Sequence, residues 1–216
     1  MVSIANVDGV YINHGNSVNM KNDVNARRYH HGDLRAALVE AGLGLIEERA
    51  ADDLSLREVA RAVGVSATAV YRHFPDKAAL LRALADAGLE RLAAAQRAAA
   101  EAAGGGAAGF QATGRAYVRF ALANPGLFRL TFANVAPGNA VPWAEKGDDA
   151  TRLLRENAAR VAGGAGEARL VALRSWALVH GLAVLMLDGQ IPADETIIDG
   201  VIGGAIPPRN GEGDQP

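Results

Sequence analysis

The chain has no cysteine and few aromatic residues, and both shortages narrow the classes of protein it can belong to. Among its 216 residues there is no Cys, and Phe, Trp and Tyr together make up 5%. Without cysteine there can be no disulfide scaffold and no thiolate chemistry, which fits a reducing cytoplasm. No stretch alternates apolar and polar residues in the way a β-strand does. The sequence therefore predicts an all-α fold of closely packed helices.

Targeting and membrane signals are also missing from the pattern. The N-terminus lacks the basic region and apolar core of a secretory signal. The longest apolar run, Trp176 to Leu187, is interrupted by His180 and is shorter than the roughly 20 residues of a membrane helix. We therefore expect a soluble, cytoplasmic protein with no membrane partner.

Signatures of catalysis and cofactor binding are absent as well. There is no G-x-S-x-G elbow and no Walker-type loop, and the glycine clusters follow helical patterns rather than strands. His180 and Asp188 are eight residues apart on one predicted helix, too far to share a metal ion. The sequence therefore predicts no catalytic residue, no metal site and no cofactor. We interpret His180 as a core or dimer-seam histidine.

What the sequence does contain is a marked pair of short helices between Leu54 and Lys77. Leu56, Val59, Ala60 and Val63 follow the helical period, which places one apolar stripe toward a core. Ser55 and Glu58 have the S-x-x-E spacing of a capping box at the start of this helix. Gly64 is the residue type that ends a helix in the left-handed conformation.

A second short helix follows at once. Ser66 can cap it, Val70 and Phe74 point inward, and Pro75 ends it. Two short helices joined by a tight turn form a helix-turn-helix, whose second helix enters the DNA major groove. The net charge of −2 does not argue against DNA, because a basic face can be offset elsewhere.

Two motifs carry a family resemblance. Tyr71, His73, Phe74 and Lys77 give Y-x-H-F-x-x-K after the turn, and this window resembles the DNA-binding domain of TetR-family transcriptional regulators. Trp176, His180 and Gly181 give W-x-x-x-H-G, similar to the tryptophan-histidine-glycine (WHG) signature of one TetR C-terminal subfamily. The resemblance implies a three-helix DNA-binding domain at residues 27–75 and a helical ligand-binding and dimerisation domain at 76–205. Residues 1–26 and 206–216 are predicted to be a disordered arm and tail, and native translation beginning at Met20 is one alternative for the arm.

The resemblance also implies roles for single residues, carried over one at a time. The predicted DNA-binding residues are Arg28, Arg57, Ser66, Ala67, Thr68, Tyr71, His73 and Lys77. Arg57 and the tip residues Ser66, Ala67 and Thr68 would face bases, whereas Tyr71, His73, Lys77 and the arm residue Arg28 would contact phosphates or the minor groove. Alternatives stay open: the charged residues can be solvated, Tyr71 can be a half-buried core residue, and His73 can be hydrogen-bonded within the domain.

Two further sets complete the expected sites. The candidate ligand-lining residues are Phe110, Tyr117, Phe120, Phe128, Phe132 and Trp143, with plain core packing as the alternative. The candidate dimer residues, on the apolar helix from about 167 to 187 and a short one after it, are Leu178, Gly181, Leu182, Leu185, Ile198, Val201 and Ile202.

We expect a dimeric repressor that binds a double-stranded DNA operator and is released by a small, mostly apolar effector. An activator is an alternative. So is a carrier or enzyme that retains the helix-turn-helix only as a structural element.

Overall fold

The computed structural model describes residues 34–48, 51–133, 149–162 and 164–204, except for the side chain of residue 52. Over these residues the secondary structure is entirely helical, which confirms the all-α prediction. The helices are α1 Leu34–Glu48, a 3-10 turn Ala51–Asp53, α2 Leu56–Val63, α3 Ala67–Tyr71, α4 Lys77–Ala102, α5 Gly106–Ala123, α6 Pro125–Ala133, α7 Asp149–Val161, α8 Ala165–Leu187 and α9 Glu195–Gly203. The predicted arm and tail, Arg28 and Trp143 lie outside the described residues.

The capping signals predicted around α2 are confirmed. Ser55 Oγ accepts a hydrogen bond from the Glu58 amide at 3.3 Å, and the Ser55 amide donates to Glu58 Oε2 at 3.0 Å. Gly64 ends the helix with φ at 76°, a conformation that costs other residue types more than glycine. These local interactions fix both ends of the first helix of the pair.

The buried face of α1 differs from the predicted one. The pattern predicted Leu34, Ala37, Leu38, Ala41 and Leu45 on the inner face. The structure instead buries Ala37, Leu38, Val39, Gly42, Leu43 and Ile46. The reason is close packing on α4, because a β-carbon at Gly42 would lie 2.9 Å from Leu84 Cδ2. The inner face is therefore rotated toward Leu84.

α4 is the longest helix of the described residues, and it packs on α5, α6 and α7. Its approach to α6 is close: a β-carbon at Gly88 would lie 2.5 Å from Thr131 Oγ1 and 2.8 Å from Leu127 Cδ1. α6 begins at Pro125. Proline suits the first helical position because the amide it lacks would have no partner inside the helix there.

The core of the C-terminal half lies between α4, α5, α6, α8 and α9. Its buried members are Leu92, Tyr117, Val118, Ala121, Phe128, Val179, Leu182, Ala183, Met186 and Ile198. Two ion pairs connect α9 to α5. Arg115 pairs with Asp199, and Arg119 donates from Nε and Nη2 to the Glu195 carboxylate. The Arg119 contact lowers the pKa of Glu195.

Candidate nucleic-acid interface and effector site

The tip of α3 projects polar side chains while its other side is buried. Val70 and Phe74 are 0% and 1% exposed and anchor the helix in the core. Thr68 and His73 are exposed, and Tyr71 is 48% exposed. Tyr71 is thus a surface residue and not the half-buried core residue of the alternative interpretation.

The remaining predicted DNA-binding residues lie along the same segment of the chain. Arg57 is exposed in the first turn of α2. Ser66 is exposed and caps α3 by accepting from the Ala69 amide at 3.3 Å. Ala67 and Lys77 are half-buried. A missed neighbour is Arg72, an exposed cation between Tyr71 and His73 that the motif did not count.

The start of α4 differs in one respect from the phosphate site expected there. Asp76 Oδ1 accepts from the Ala79 amide at 2.7 Å, so this amide is already paired and a carboxylate lies beside Lys77. A phosphate at this position would be repelled by that carboxylate. The Ala79 amide is therefore not free to bind a phosphate, and the Lys77 ammonium is the favourable partner at this helix start.

In the C-terminal half, five rings form what we call the aromatic cluster: Tyr117, Phe128, Phe132, Trp176 and His180. Ring centroids are 4.8 Å apart for Phe128 and Phe132, and 5.8 Å apart for Trp176 and His180. The Tyr117 hydroxyl and His180 Nδ1 are 2.8 Å apart and hydrogen-bonded. Burial lowers the pKa of His180, because the charged imidazolium is disfavoured away from water.

This cluster collects part of the predicted ligand lining. Tyr117, Phe128 and Phe132 belong to it, and Phe120 packs against the same core. Phe110 is half-buried, and its carbonyl accepts from Thr113 Oγ1. The pattern missed Trp176 and His180 as members.

The spacing of Trp176 and His180 could have revealed both residues, since residues four apart share one face of a helix. His180 is half-buried at the edge of the core, and it contacts aromatic rings of its own chain.

α8 is buried on one side only. Leu170, Leu173, Leu178 and Leu185 are 53%, 37%, 45% and 39% exposed, and the helical period places all four in one broad stripe, on the half of the helix that faces away from the core. Gly181 lies on the same stripe, and a β-carbon there would have nothing within 4 Å. We call this surface the leucine stripe.

Two of the predicted dimer residues need correction. Leu182 is 6% exposed and Ile198 is 1% exposed, because both pack in the core described above. Neither has side-chain surface left for a second copy. Val201 is 38% exposed on α9, and Ile202 packs partly against the core.

α8 begins at Ala165, close to the predicted start at about residue 167. By length and composition alone it could cross a membrane, in contrast with our expectation. Val179, Ala183 and Met186 of the same helix pack in the core of the chain, and core helices of soluble proteins meet the same criterion. Among the described residues, no three His, Asp or Glu side chains gather as metal ligands would.

Comparison with known proteins agrees with this geometry. Residues 38–84 match the family of bacterial regulatory proteins of the tetR type, and residues 110–200 match the tetracyclin repressor-like C-terminal domain. A protein of unknown function from Rhodococcus sp. RHA1 is 38% identical with a TM-score of 0.67, over 82% of this chain and 93% of that one.

A tetR-family transcriptional regulator from Streptomyces coelicolor has the same fold at 23% identity and a TM-score of 0.57, over 78% of this chain and 76% of that one. TetR from Acinetobacter baumannii AYE is 17% identical with a TM-score of 0.50, over 79% of this chain and 95% of that one.

The fold and the exposed α3 tip define a helix-turn-helix DNA-binding regulator. The chain belongs to the TetR family of transcriptional regulators. Assignment to the WHG subfamily stays a prediction.

Proposed function

We propose that this protein is a cytoplasmic, dimeric repressor that leaves its operator when a small, mostly apolar effector binds the C-terminal half. It acts by binding and not by catalysis. The observation that carries the DNA-binding part is the α3 tip, where exposed Thr68, Tyr71 and His73 stand over buried Val70 and Phe74. A side chain that reaches DNA must be exposed on a rigid support, and this tip meets both requirements.

On DNA, we assign base contacts to Arg57 and to the Ser66, Ala67 and Thr68 tip. An arginine prefers guanine O6 and N7, and the small tip residues suit a hydroxyl bond or a thymine methyl. Tyr71, His73 and Lys77 would bind phosphates and set the register. We assign a minor-groove contact to Arg28, which lies outside the described residues.

For the dimer, we propose that the leucine stripe packs on the same stripe of a second copy. Covering these exposed leucines with an apolar partner is favourable by about 25 cal/mol for each Å² of apolar surface removed from water. Gly181 supports a close approach there, because it leaves the backbone uncovered. Val201 extends the surface onto α9.

For the effector, the aromatic cluster is the proposed site. Its rings supply apolar contact area, and the pair formed by Tyr117 and His180 supplies a polar group within it. Small-molecule sites are typically apolar with a few placed polar groups, and this cluster has that composition.

A salt series on DNA tests the regulator proposal. Fragments of the native genome are selected by the purified protein, and the dissociation constant is measured between about 50 and 200 mM salt. We expect a loss of several powers of ten over this range, because each neutralised phosphate releases counterions. A flat response would contradict phosphate contacts.

The double variant Tyr71→Phe with Lys77→Ala tests the phosphate assignment in the same assay. It should weaken binding to all sequences about equally and reduce the log–log slope by about one unit for each phosphate that the variant no longer neutralises. Gln111→Ala, at an exposed position on α5, is a control that should leave binding unchanged. A change confined to one operator position would overturn the assignment.

A further inference from the structure

Gln96 on α4 carries a buried polar atom without a partner. The residue is 8% exposed, and its Oε1 has no hydrogen bond. The amide orientation is fixed by the other atom, since Gln96 Nε2 donates to the Thr113 carbonyl at 3.3 Å. Buried polar atoms are nearly always hydrogen-bonded, because an unpaired atom loses its hydrogen bonds to water and gains none within the protein. Gln96 Oε1 is therefore an acceptor positioned for a donor that the described side chains do not provide.

Helical spacing places this acceptor about one turn from the aromatic cluster. Thr113 and Tyr117 are four residues apart on α5, so they occupy one face in successive turns. Leu92 lies one turn before Gln96 on α4 and packs in the same core as Tyr117. One helical turn rises about 5.4 Å, so the acceptor is roughly that far along the helices from the cluster. A group attached to a single aromatic ring spans such a distance.

The cluster retains exposed ring surface. Phe132, Trp176 and His180 are only partly buried, whereas Tyr117 and Phe128 are 4% and 2% exposed. A ring could therefore lie against Phe132, Trp176 and His180 while Tyr117 and Phe128 support it from behind.

Charge complementarity favours an uncharged ligand. The buried polar side chains among the described residues are Gln96, Thr113, Thr131 and Asn157, and none of these carries a charge. Burial also keeps the His180 imidazole neutral at physiological pH, since its pKa is lowered. An anionic or cationic group placed here would lose its hydration without gaining a counter-charge.

We propose that the effector is an uncharged aromatic compound bearing a hydroxyl, that is, a phenol. Its ring lies against the aromatic cluster and its hydroxyl donates to Gln96 Oε1. This proposal rests on the effector site suggested above and adds the chemical class of the ligand and the residue that recognises it.

Calorimetric titration of the full chain with three matched probes tests the proposal without DNA. The probes are 4-ethylphenol, ethylbenzene and 4-ethylbenzoate at pH 7.5. We expect saturable binding of 4-ethylphenol, weaker binding of ethylbenzene because it lacks the donor, and none of 4-ethylbenzoate. Absence of saturable 4-ethylphenol binding, or binding of the benzoate at equal or higher affinity, would overturn the proposal.

Gln96→Met keeps the size and removes the acceptor. It should weaken 4-ethylphenol binding about two- to twelvefold, which is the range for one neutral hydrogen bond, and leave ethylbenzene binding unchanged. A purely structural Gln96 would alter both probes alike or neither, and either result would contradict the recognition role. Gln111→Met, at the exposed surface of α5, is the matched control that should bind both probes as the native chain does.

Tyr117→Phe is a second variant in case Gln96→Met fails to fold, as judged by circular dichroism. It removes only the hydroxyl bonded to His180. We expect it to leave the ratio of the 4-ethylphenol and ethylbenzene affinities unchanged, because the ligand hydroxyl donates to Gln96 and not to this pair. A loss confined to 4-ethylphenol would move recognition to the Tyr117–His180 pair and overturn the assignment to Gln96.

The DNA assay separates this proposal from the regulator proposal. If the chain binds DNA with steep salt dependence but ignores 4-ethylphenol, only the ligand class is wrong. If it binds 4-ethylphenol but shows no salt-dependent DNA binding, the regulator proposal fails and the ligand site stands.

Discussion

The pKa of His180 depends on its neighbours in the folded chain, which its position in the sequence does not indicate. Four aromatic rings surround it, and its Nδ1 is hydrogen-bonded to Tyr117. Because burial lowers its pKa below the ordinary value near 6.5, the folded state resists a proton that the unfolded state accepts. The neutral imidazole is therefore part of the folded structure.

This difference predicts a pH dependence of stability. Above pH 7 both states hold a neutral His180, so its contribution is fully present there. As the pH falls through about 6.5, the unfolded state takes up a proton first and the free energy of unfolding decreases. Melting curves of the native chain and His180→Gln, measured from pH 7.5 to 5, should therefore converge as the pH falls.

His73→Gln is the matched control, since His73 is exposed. Its melting temperature should follow that of the native chain at every pH. If the His180→Gln curve also ran parallel to the native one, the buried imidazole would not be the cause.

Gly126 is a second residue whose role comes from close contact. A β-carbon at this position would overlap the main-chain carbonyl oxygen of Ile46 on α1. The same junction is held by Glu47, whose carboxylate accepts from the amides of Gly126 at 3.4 Å and Leu127 at 3.1 Å. Glycine thus lets the end of α1 and the start of α6 touch.

We predict that Gly126→Ala destabilises the chain despite the better helix propensity of alanine. Overpacking of this kind costs about 1–3 kcal/mol, more than the roughly 0.5–1 kcal/mol gained within a helix. Urea unfolding measures the difference. Gly44→Ala on α1, where a β-carbon meets nothing within 4 Å, should be neutral or stabilising. Equal stabilities of the two variants would show that α1 and α6 separate easily.

At the scale of the element, α8 has two unlike faces. Val179, Ala183 and Met186 are buried in the core, while the leucine stripe faces away from it. Both faces of the helix carry apolar residues, which explains why its composition resembles that of a membrane segment. A partner of the same kind would cover the second face.

Gly181→Leu tests that partner. The side chain meets nothing within the chain, so the fold should be retained, but it would separate two closely packed copies of α8. We expect a dimer in the native chain and monomer in the variant by light scattering with size exclusion. Gly44→Leu, on α1 and also without neighbours, should remain dimeric. A dimer that tolerates Gly181→Leu would exclude the leucine stripe, and recovery of the native chain with membranes would favour the bilayer instead.

At the scale of the whole molecule, a dimer would present two α3 tips to one DNA duplex. Half-sites read by such dimers are about one helical turn apart, roughly 10–10.5 base pairs. Inserting five base pairs between the half-sites turns one of them to the opposite side of the duplex. We predict that affinity then falls to that of a single half-site, as measured by fluorescence anisotropy, and that ten inserted base pairs restore part of it. Equal affinity for all spacings would contradict a fixed dimer.

The sequence predicted the parts of this molecule that depend on near neighbours. The Ser55–Glu58 capping box and the Gly64 turn involve residues a few positions apart, so their spacing could be read directly. The inner face of α1 could not be, because Leu84 lies more than 40 residues away and decides which side is covered.

The same limit applies to the predicted sites. Leu182 and Leu185 look alike in the pattern, yet one is buried in the core and the other is exposed. Only the position of α5 and α9 relative to α8 distinguishes them. The residues predicted to bind DNA lie, apart from Arg28, in one continuous segment that a motif can cover, whereas the aromatic cluster is assembled from three separate helices.

The exposed leucines of α8 also affect how operator binding depends on the concentration of the protein. If two copies must meet before either binds an operator firmly, then below the dimer dissociation constant the active form increases with the square of the chain concentration. Halving synthesis would then cut the active form to roughly a quarter. The leucine stripe would thus make repression sensitive to gene dosage, even with no effector present.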